Sequence, residues 1–244
     1  MKTIRVLKTN ISDTTIGEVG QLLNNNNKTT VAICNANTLV QSYKDEKINS
    51  VINSFSIATP DGFPVAKAIS RLAKKNIPRV DGYKVFKETI KRGIDKNTSH
   101  YFFGNNEKVV RLMIKNLKNE FPNINILGFA CPPFENVENL IYRFQESIGN
   151  NKPDIVWISL GFPKQEIFIY KLLERTMTNS NFVGIGAVFE WVAGTKIKAP
   201  EWIANLGFEW VLRLIQEPRR LLRRYLIDNT LFVYYFSKQL KSKN

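Results

Sequence analysis

The sequence predicts an α/β fold with a doubly wound, mostly parallel sheet over residues 1–200, followed by a helical appendage over residues 201–244. Three observations predict it. Short runs that are apolar along their whole length recur in the first 200 residues, as in a sheet buried on both faces. Helical patterns of ten or more residues separate these runs, which is typical of parallel strands joined by helices. After Pro200 the strand-like runs stop, and the chain becomes basic and helical.

Each predicted strand ends in a polar turn, and ligands of such sheets bind beyond the carboxyl ends of the strands. In the appendage, Pro218 should divide the chain into two helices, because proline cannot donate a helical hydrogen bond. The predicted strands are Thr29–Cys34, Phe55–Ala58, Tyr101–Phe103, Ile124–Phe129, Asp154–Leu160 and Phe182–Ile185. The predicted helices are Val40–Asn53, Val65–Lys75, Glu107–Glu120, Asn136–Ile148, a segment ending at Arg175, Trp202–Gln216 and Arg219–Lys241.

The composition is that of a globular and strongly basic protein. The 244 residues are 43% hydrophobic and 23% charged, enough to bury a core, and the net charge is +14. This excess predicts an anionic partner, which could be nucleic acid, anionic lipid or a phosphorylated substrate. Met1–Asn10 lacks the apolar segment of a secretory signal, and no apolar run reaches the ~18 residues of a membrane span. We therefore expect a soluble or peripheral protein of the cytoplasm.

Several chemistries find little support in the sequence. The one histidine, His100, argues against a histidine-based zinc site and against a Ser-His-Asp triad. Cys34 and Cys131 each end an apolar stretch and lie far apart, so we expect two reduced thiols in the core. The phosphate-binding loop of ATPases and the glycine motif of dinucleotide-binding proteins are absent. No Asp-x-Asp pair is present to hold a metal against a diphosphate, so we expect neither a metal nor a cofactor.

Polar residues after the first two predicted strands are candidates for chemistry. Asp61 follows a strand and precedes Gly62, so its carboxylate should project at the ligand edge, where it could act as a general base towards a sugar hydroxyl. A turn aspartate or a helix N-cap would show the same pattern. Asn35 and Asn37 follow the preceding strand and could hold a sugar or a base through their amides. They could equally cap the next helix.

The turn after the most apolar strand could bind a diphosphate. Gly161 permits a sharp turn, and Gln165 could reach a ligand at the helix N-terminus, where free backbone amides favour anions. Gly104 ends another strand at the same edge. Without a metal, cations must meet the charge of a leaving diphosphate. The appendage offers Arg213, Arg219, Arg220, Arg223 and Arg224, although a solvated face or an anionic-lipid patch would use the same residues.

Apolar residues alternate with these arginines in the appendage. Their helical spacing suits a helix lying on an anionic membrane surface. Packing on the first domain, or a contact in a homo-oligomer, would produce the same spacing. The residues concerned are Leu221, Leu222, Tyr225, Leu226, Phe232, Tyr235 and Phe236.

Several motifs, taken in order, resemble the WecG/TagA/CpsF family of bacterial glycosyltransferases over about residues 35–225. They are Thr59-Pro60-Asp61-Gly62, Gly161-Phe162-Pro163-Lys164-Gln165-Glu166, Ala193-Gly194 with Ala199-Pro200, Gly207-Phe208-Glu209-Trp210, and Arg213-Leu214 with Glu217-Pro218-Arg219-Arg220. The resemblance implies a Rossmann-like α/β domain and a C-terminal helical appendage that closes the active site and reaches the membrane. It also implies an inverting, metal-independent transfer from a UDP-sugar to a polyprenyl-diphosphate-linked sugar. Well-known members transfer N-acetylmannosamine.

The resemblance also assigns roles to residues. It places the general base on Asp61. The family's substrate-binding motifs fall on Asn35, Asn37, Arg79, Gly82 and Gln165, and the arginines suited to the diphosphate are Arg213, Arg220 and Arg223. The chain departs from the family pattern at Val40, at Tyr83-Lys84-Val85, at Glu190 and at Lys198. These departures surround the substrate region and leave the donor open between UDP-N-acetylmannosamine, which leads, and UDP-glucose.

Two other classes compete with the transferase. A nucleic-acid-binding protein would explain the charge, but it needs a basic stripe with aromatic residues across a sheet, or a helix that enters a groove. The basic residues here concentrate partly in a leucine-rich tail, so we expect no nucleic acid. A catalytically inactive membrane scaffold would explain the departures from the family pattern.

Overall fold

The computed structural model describes residues 1–25, 28–205 and 207–242, with the backbone alone at Asn205, Arg220 and residues 223–225. Its strands are β1 Thr3–Val6, β2 Thr9–Ser12, β3 Thr30–Cys34, β4 Ile57–Pro60, β5 Ser99–Gly104, β6 Asn125–Ala130, β7 Ile155–Ser159 and β8 Asn181–Gly184. The strands β3 to β8 form one sheet in the order β4-β3-β8-β7-β5-β6, and every neighbouring pair is parallel. The strands β1 and β2 form an antiparallel hairpin.

Helices cover both faces of this sheet, as the apolar runs predict. Along β7, Ile155 and Trp157 enter one core while Val156 and Ile158 enter the other, because successive side chains of a strand alternate. The first core packs against α1 Ile16–Leu23, α5 Gly82–Gly93, α6 Glu107–Glu120 and α9 Val188–Ala193. The second lies under α2 Ala36–Lys44, α3 Glu46–Asn53, α4 Phe63–Ala73, α7 Val137–Ile148 and α8 Lys164–Arg175.

The predicted doubly wound sheet is confirmed, with differences at the N-terminus. All six predicted strands fall on β3 to β8, although β4 lies two residues further along than expected. The hairpin and the helices α1, α5 and α9 are missing from the prediction. A local signal for α1 exists: Thr15 and Glu18 form a capping box, in which each side chain accepts a hydrogen bond from the backbone of the other.

The single helix predicted over Val40–Asn53 is wrong. The structure has two helices there, α2 and α3, which are divided at Asp45. The Asp45 carboxylate accepts hydrogen bonds from the backbone of Lys47, at 2.8 Å, and of Ile48, at 3.2 Å. An aspartate in this position caps a new helix. The apolar periodicity continues across the break and therefore does not reveal it.

The appendage has more elements than the two predicted helices. The predicted Trp202–Gln216 is divided into two helices, and the predicted Arg219–Lys241 contains a π-helical segment. The elements are α10 Glu201–Asn205, α11 Glu209–Gln216, α12 Pro218–Arg223, the π-helical segment Arg224–Asp228 and α13 Asn229–Lys241. The predicted break at Pro218 is confirmed, because this proline begins α12, where its missing N–H has no helical partner to lose. Among the described residues, no helix is both long and apolar enough to cross a bilayer.

The last helix of the appendage packs on the α/β domain. Phe232 is buried in the core beneath α2, and the ring of Tyr235 lies 4.5 Å from the ring of Tyr43. Gln239 accepts a hydrogen bond from the backbone of Leu7 at 2.7 Å and donates one to the carbonyl of Arg5 at 2.8 Å. Packing on the α/β domain therefore explains the apolar residues on one side of α13.

Candidate active site

Two cavities meet at the carboxyl edge of the parallel sheet. The first, of about 510 Å³, lies over the ends of β3, β7 and β8, and we call it the strand-end cavity. The second, of about 350 Å³, lies between the start of α4 and the appendage, and we call it the appendage cavity. Asn35, Asn37, Asp61 and Arg213 line both of them. A reacting group shared by two bound ligands would have to lie at this boundary.

Asp61 occupies the boundary because it is the first residue after β4. Its backbone N–H donates to the carbonyl oxygens of Cys34, at 2.9 Å, and of Thr59, at 3.0 Å, so the turn is fixed against the neighbouring strand. The residue that caps α4 is Gly62, and no side chain bonds to that helix start. Asp61 therefore does not serve as the N-cap, and its carboxylate is directed towards the cavities.

The surroundings of Asp61 make it a stronger base than an ordinary aspartate. Burial raises the pKa of Asp61 to about 6, although the Arg79 guanidinium opposes this shift. Glu209 and Asp81 raise the pKa further, and Arg213 lowers it. Only 17% of the Asp61 side chain is exposed, so these charges act through a poorly solvated region. Near neutral pH the carboxylate is ionised and can accept a proton efficiently.

Arg79 joins Asp61 to the appendage. Its Nε lies 3.4 Å from Asp61 Oδ1, and its Nη2 lies 2.5 Å from Glu209 Oε2. Arg79 comes from the segment between α4 and α5, and Glu209 is the first residue of α11. One guanidinium thus bridges two carboxylates from distant parts of the chain, and it also lines the appendage cavity.

Asn35 and Asn37 follow β3, and Asn37 already lies in α2; each has a structural contact. Asn35 caps α2, since its Oδ1 accepts a hydrogen bond from the Thr38 backbone at 3.2 Å, so the capping alternative is correct for it. Asn37 Nδ2 donates to Asp228 Oδ2 at 2.6 Å. Both residues nevertheless line both cavities.

Gln165 places a buried amide at the strand-end cavity. Gly161, with a φ of +77°, turns the chain after β7, and its carbonyl accepts the Gln165 N–H at 3.0 Å. The Gln165 side chain passes so close to Gly184 that a Cβ there would lie 2.8 Å from its Nε2. Its Nε2 donates to Glu166 at 2.9 Å, while its Oε1 has no hydrogen-bond partner among the described residues. A buried acceptor of this kind suits a ligand that donates to it.

Gly104 shapes the site without lining either cavity, and its part in binding the substrate stays a prediction. Its φ is +109°, and a Cβ at this position would lie 2.4 Å from the carbonyl oxygen of Ser159. Only glycine permits the ends of β5 and β7 to approach so closely. The next residue, Asn105, does line the strand-end cavity, and its Nδ2 donates to Ser159 Oγ at 3.3 Å.

Of the appendage arginines, Arg213 is the one whose described side chain lines the cavities. Its guanidinium stacks on Trp191 with 4.7 Å between Cζ and the ring centroid, a cation–π contact that holds it at the boundary. Arg220 and Arg223 lie in α12, but their side chains are outside the described part of the structure. Leu221, between them, is buried and lines the strand-end cavity.

The structure adds residues that the sequence analysis does not single out. Glu209 was quoted only as part of a motif, and its contact with Arg79 gives it a place in the site. Lys196 bridges Glu190 and Glu217 at 2.7 Å each, so Glu190 is held at the strand-end cavity. The appendage cavity is lined by aromatic and apolar residues, among them Phe63, Pro64, Trp210 and Val233.

His100 lies inside β5 and is buried, and its Nδ1 accepts a hydrogen bond from Trp157 Nε1 at 3.2 Å. Burial lowers the pKa of His100 to about 4, so it is neutral at physiological pH. Within the described ranges, no group of three or more His, Cys, Asp or Glu residues is arranged to hold a metal ion.

The fold and the site place the protein among the Rossmann-like α/β enzymes, in which the ligand meets the carboxyl ends of parallel strands. Comparison with known proteins narrows the class to the glycosyltransferases. The chain belongs to the WecG/TagA/CpsF family of glycosyl transferases, whose model matches residues 4–244. The resemblance of its motifs to this family is thus confirmed.

Three relatives carry the same descriptive name, N-acetylglucosaminyldiphosphoundecaprenol N-acetyl-β-D-mannosaminyltransferase. The chain is 29% identical over 191 residues to that of Bacillus subtilis strain 168, covering 78% of this chain and 72% of that protein. It is 26% identical over 180 residues to that of Bacillus spizizenii, covering 74% and 68%. It is 29% identical over 209 residues to that of Staphylococcus aureus, covering 84% and 76%.

Proposed function

We propose that this protein transfers N-acetylmannosamine from UDP-N-acetylmannosamine to a polyprenyl-diphosphate-linked N-acetylglucosamine during cell-envelope polymer synthesis. The relatives named above support the sugar and the acceptor. The observation that carries the proposal is the position of Asp61, a carboxylate of raised pKa at the boundary of two cavities. Each cavity would hold one of the two substrates, and the same chemistry with UDP-glucose as donor is the alternative.

The donor belongs in the strand-end cavity. Its walls offer the hydrogen-bonding groups that a nucleotide and a sugar need, including Asn105, Ser159 and Gln165. Arg213 would meet the diphosphate, since guanidinium groups bind phosphate oxygens through parallel N–H donors. Arg220 and Arg223, which the family resemblance assigns to the same task, remain part of the proposal.

The acceptor belongs in the appendage cavity. Phe63, Trp210 and Val233 give this cavity an apolar side, which suits the first units of a polyprenyl chain and one face of a sugar ring. Asp61, Asn37 and Arg79 give it a polar end. An acceptor that entered from the apolar side would therefore bring its sugar hydroxyl to Asp61.

The transfer follows from this arrangement. Asp61 accepts the proton of the acceptor hydroxyl, and the hydroxyl oxygen forms a bond to the anomeric carbon. The bond from that carbon to the UDP oxygen breaks on the opposite side, so the anomeric centre inverts and UDP leaves as an anion. Arg213 stabilises the anion without a metal ion. A positioned carboxylate base contributes roughly 10²- to 10⁴-fold to such a reaction.

The appendage also offers a surface for the membrane that carries the acceptor. Six large apolar side chains of the appendage are between 48% and 70% exposed. Exposed apolar side chains beside basic residues suit the interface of an anionic bilayer. They are Trp202, Phe208, Ile215, Leu222, Leu226 and Val233.

A panel of UDP-sugars tests the proposal. Each is incubated with a synthetic lipid-diphosphate-N-acetylglucosamine, with and without EDTA, and the products are read by mass spectrometry. We expect UDP-N-acetylmannosamine to give a disaccharide product that EDTA does not suppress, and Asp61→Asn to lose turnover while it still binds UDP. Transfer from UDP-glucose alone would replace the donor. Turnover by Asp61→Asn at the wild-type rate would remove Asp61 from the mechanism.

A further inference from the structure

The contacts of Arg79 are unusual for an arginine beside a candidate base. The Nε–H and one Nη2–H of a guanidinium lie on the same edge and point nearly parallel, a geometry that fits both oxygens of one carboxylate. In this protein the two donors go to different carboxylates. Nη2 lies 2.5 Å from Glu209, and Nε lies 3.4 Å from Asp61. The short contact is the one to Glu209, so the nitrogen that would complete a two-point pair with Asp61 is already bonded to Glu209.

We propose that Glu209 is a positioning residue, which holds Arg79 away from a two-point ion pair with Asp61 and so keeps the Asp61 carboxylate available to the acceptor hydroxyl. This inference rests on the proposed function, in which Asp61 is the base. Glu209 is the first residue of α11, and only 14% of its side chain is exposed. Because α11 belongs to the appendage, docking of the appendage would free the base at the moment the acceptor cavity is completed.

The remaining charges around Asp61 do not replace Glu209. Arg213, like Arg79, lowers the pKa of Asp61, because a nearby positive charge stabilises the ionised carboxylate. Its guanidinium is held on Trp191. Asp81 is engaged as the cap of α5, where it accepts the Lys84 N–H at 3.0 Å. Besides Asp61 itself, Glu209 is the acidic group of the described residues that pairs with the Arg79 guanidinium. The described groups that face Asp61 are Cys34, Arg79, Asp81, Glu209 and Arg213.

Glu209→Gln is the direct test, since it keeps the shape and removes the charge. Arg79 should then turn fully to Asp61, and the proton affinity of Asp61 should fall about tenfold, which is one pKa unit. Selective ¹³C labelling of aspartate carboxyls and NMR titration measure this without turnover. In kinetics, the acid limb of kcat should move to lower pH, and kcat on the plateau should fall roughly 3- to 10-fold, because a weaker base transfers the proton less efficiently.

Two comparisons separate positioning from other effects. Glu201→Gln is the matched control. The Glu201 carboxylate also belongs to the appendage and pairs with Lys84 of the α/β domain, but it lines neither cavity. It should leave the titration of Asp61 unchanged. In the Arg79→Gln background, Glu209→Gln should shift Asp61 much less than in the wild type, because the effect passes through Arg79. An equal shift in both backgrounds would mean direct repulsion between carboxylates and would overturn the proposal.

The outcomes also distinguish this inference from the proposed function. If the wild type transfers sugar, Asp61→Asn does not, and Asp61 titrates alike in wild type and Glu209→Gln, the function stands and the inference is wrong. If no sugar is transferred, the NMR titration still decides the role of Glu209. Should Glu209→Gln undock α11, as hydrogen exchange would show, Glu209→Asp takes its place. Glu209→Asp retains the negative charge. In this variant the proton affinity of Asp61 must be lower than in the wild type, but by a factor smaller than ten.

Discussion

Asn37 and Asp228 join the α/β domain to the appendage through one short hydrogen bond, with 2.6 Å between Asn37 Nδ2 and Asp228 Oδ2. Asp228 is buried, and Gln41 approaches its other oxygen at 3.4 Å. Because Asn37 also lines both cavities, the contact that seats the appendage fixes one wall of the candidate site as well.

Replacing Asp228 by alanine should loosen the appendage. The variant leaves the half-buried Asn37 amide without its partner, so we expect the free energy of unfolding to fall by about 1–3 kcal/mol. Urea unfolding measures the loss, and hydrogen exchange should show faster exchange in α11 and α13. Gln41→Ala removes the longer contact alone and should cost less. Equal losses of stability in the two variants would show that the short hydrogen bond contributes no more than the longer contact.

Gly104→Ala should disrupt the carboxyl edge of the sheet. The new Cβ would lie 2.4 Å from the Ser159 carbonyl oxygen, and that atom is backbone, which cannot move aside without separating β5 from β7. Gly149→Ala is the control, because Gly149 also has a positive φ, +52°, but has no atom within 4 Å of the added Cβ. The control should therefore lose only the ~1–2 kcal/mol of stability that a left-handed backbone costs an alanine.

Thermal and urea unfolding of both variants measure the difference. Gly104→Ala should lose several times the stability that Gly149→Ala loses, together with UDP binding, since Asn105, the next residue, lines the strand-end cavity. Similar losses in the two variants would mean that the close approach of the strands can relax.

His100 should make the protein less stable in mild acid. Its ordinary pKa is 6.5, and burial lowers the pKa to about 4 in the folded protein, against the smaller raising effect of Asp154. Between these values the unfolded chain binds a proton that the folded chain excludes, so the stability present above pH 6.5 is lost as the pH falls towards 4. The loss from this group amounts to about 3 kcal/mol. Asp61, whose pKa is raised, acts in the opposite direction below pH 6.

The variant His100→Gln isolates that effect. Glutamine can still accept the hydrogen bond from Trp157 Nε1, but it does not titrate. Urea unfolding at pH 7 and pH 4.5 should show a larger fall in stability for the wild type than for the variant. A fall of the same size in both proteins would show that His100 takes up its proton without unfolding.

Signals that are local in the sequence located most of the site, and long-range contacts account for what it missed. Asp61, Gly161 and Gln165 follow apolar strands directly, so the edge of the sheet could be predicted from strand and turn patterns. The pair of Arg79 and Glu209 could not, because 130 residues separate its members and no periodic pattern records such a contact. The appendage cavity likewise exists only where two distant segments meet.

Secondary structure shows the same division. Asp45 caps α3 and Thr15 caps α1, and both caps are local signals in the sequence. The apolar periodicity competes with the first signal, since it suggested one long helix over Val40–Asn53. The second signal marks a helix that is absent from the prediction. The packing of α13 on α2 depends on Phe232 and Tyr235, and the apolar character of these residues would suit a membrane surface equally well. Only the fold shows that Phe232 is buried in the core and that Tyr235 lies against Tyr43.

Arg213 should bind the diphosphate of the donor. Arg213→Gln removes the one described appendage guanidinium that lines both cavities, and we expect UDP affinity to fall by about 10- to 100-fold, with a loss of kcat in addition, since charge on the leaving group grows during the reaction. Arg213→Lys keeps the charge but loses the planar stacking on Trp191, so it should recover only part of the affinity.

Arg111→Gln is the matched control for Arg213. Arg111 also lies over an aromatic ring, with 5.3 Å between its Cζ and the centroid of Phe129, and it lines neither cavity. Calorimetric titration with UDP and steady-state kinetics should leave this variant at the wild-type values. If Arg213→Gln bound UDP as tightly as Arg111→Gln does, the cation that meets the leaving diphosphate would have to be sought elsewhere in the appendage, beginning with Arg220 and Arg223.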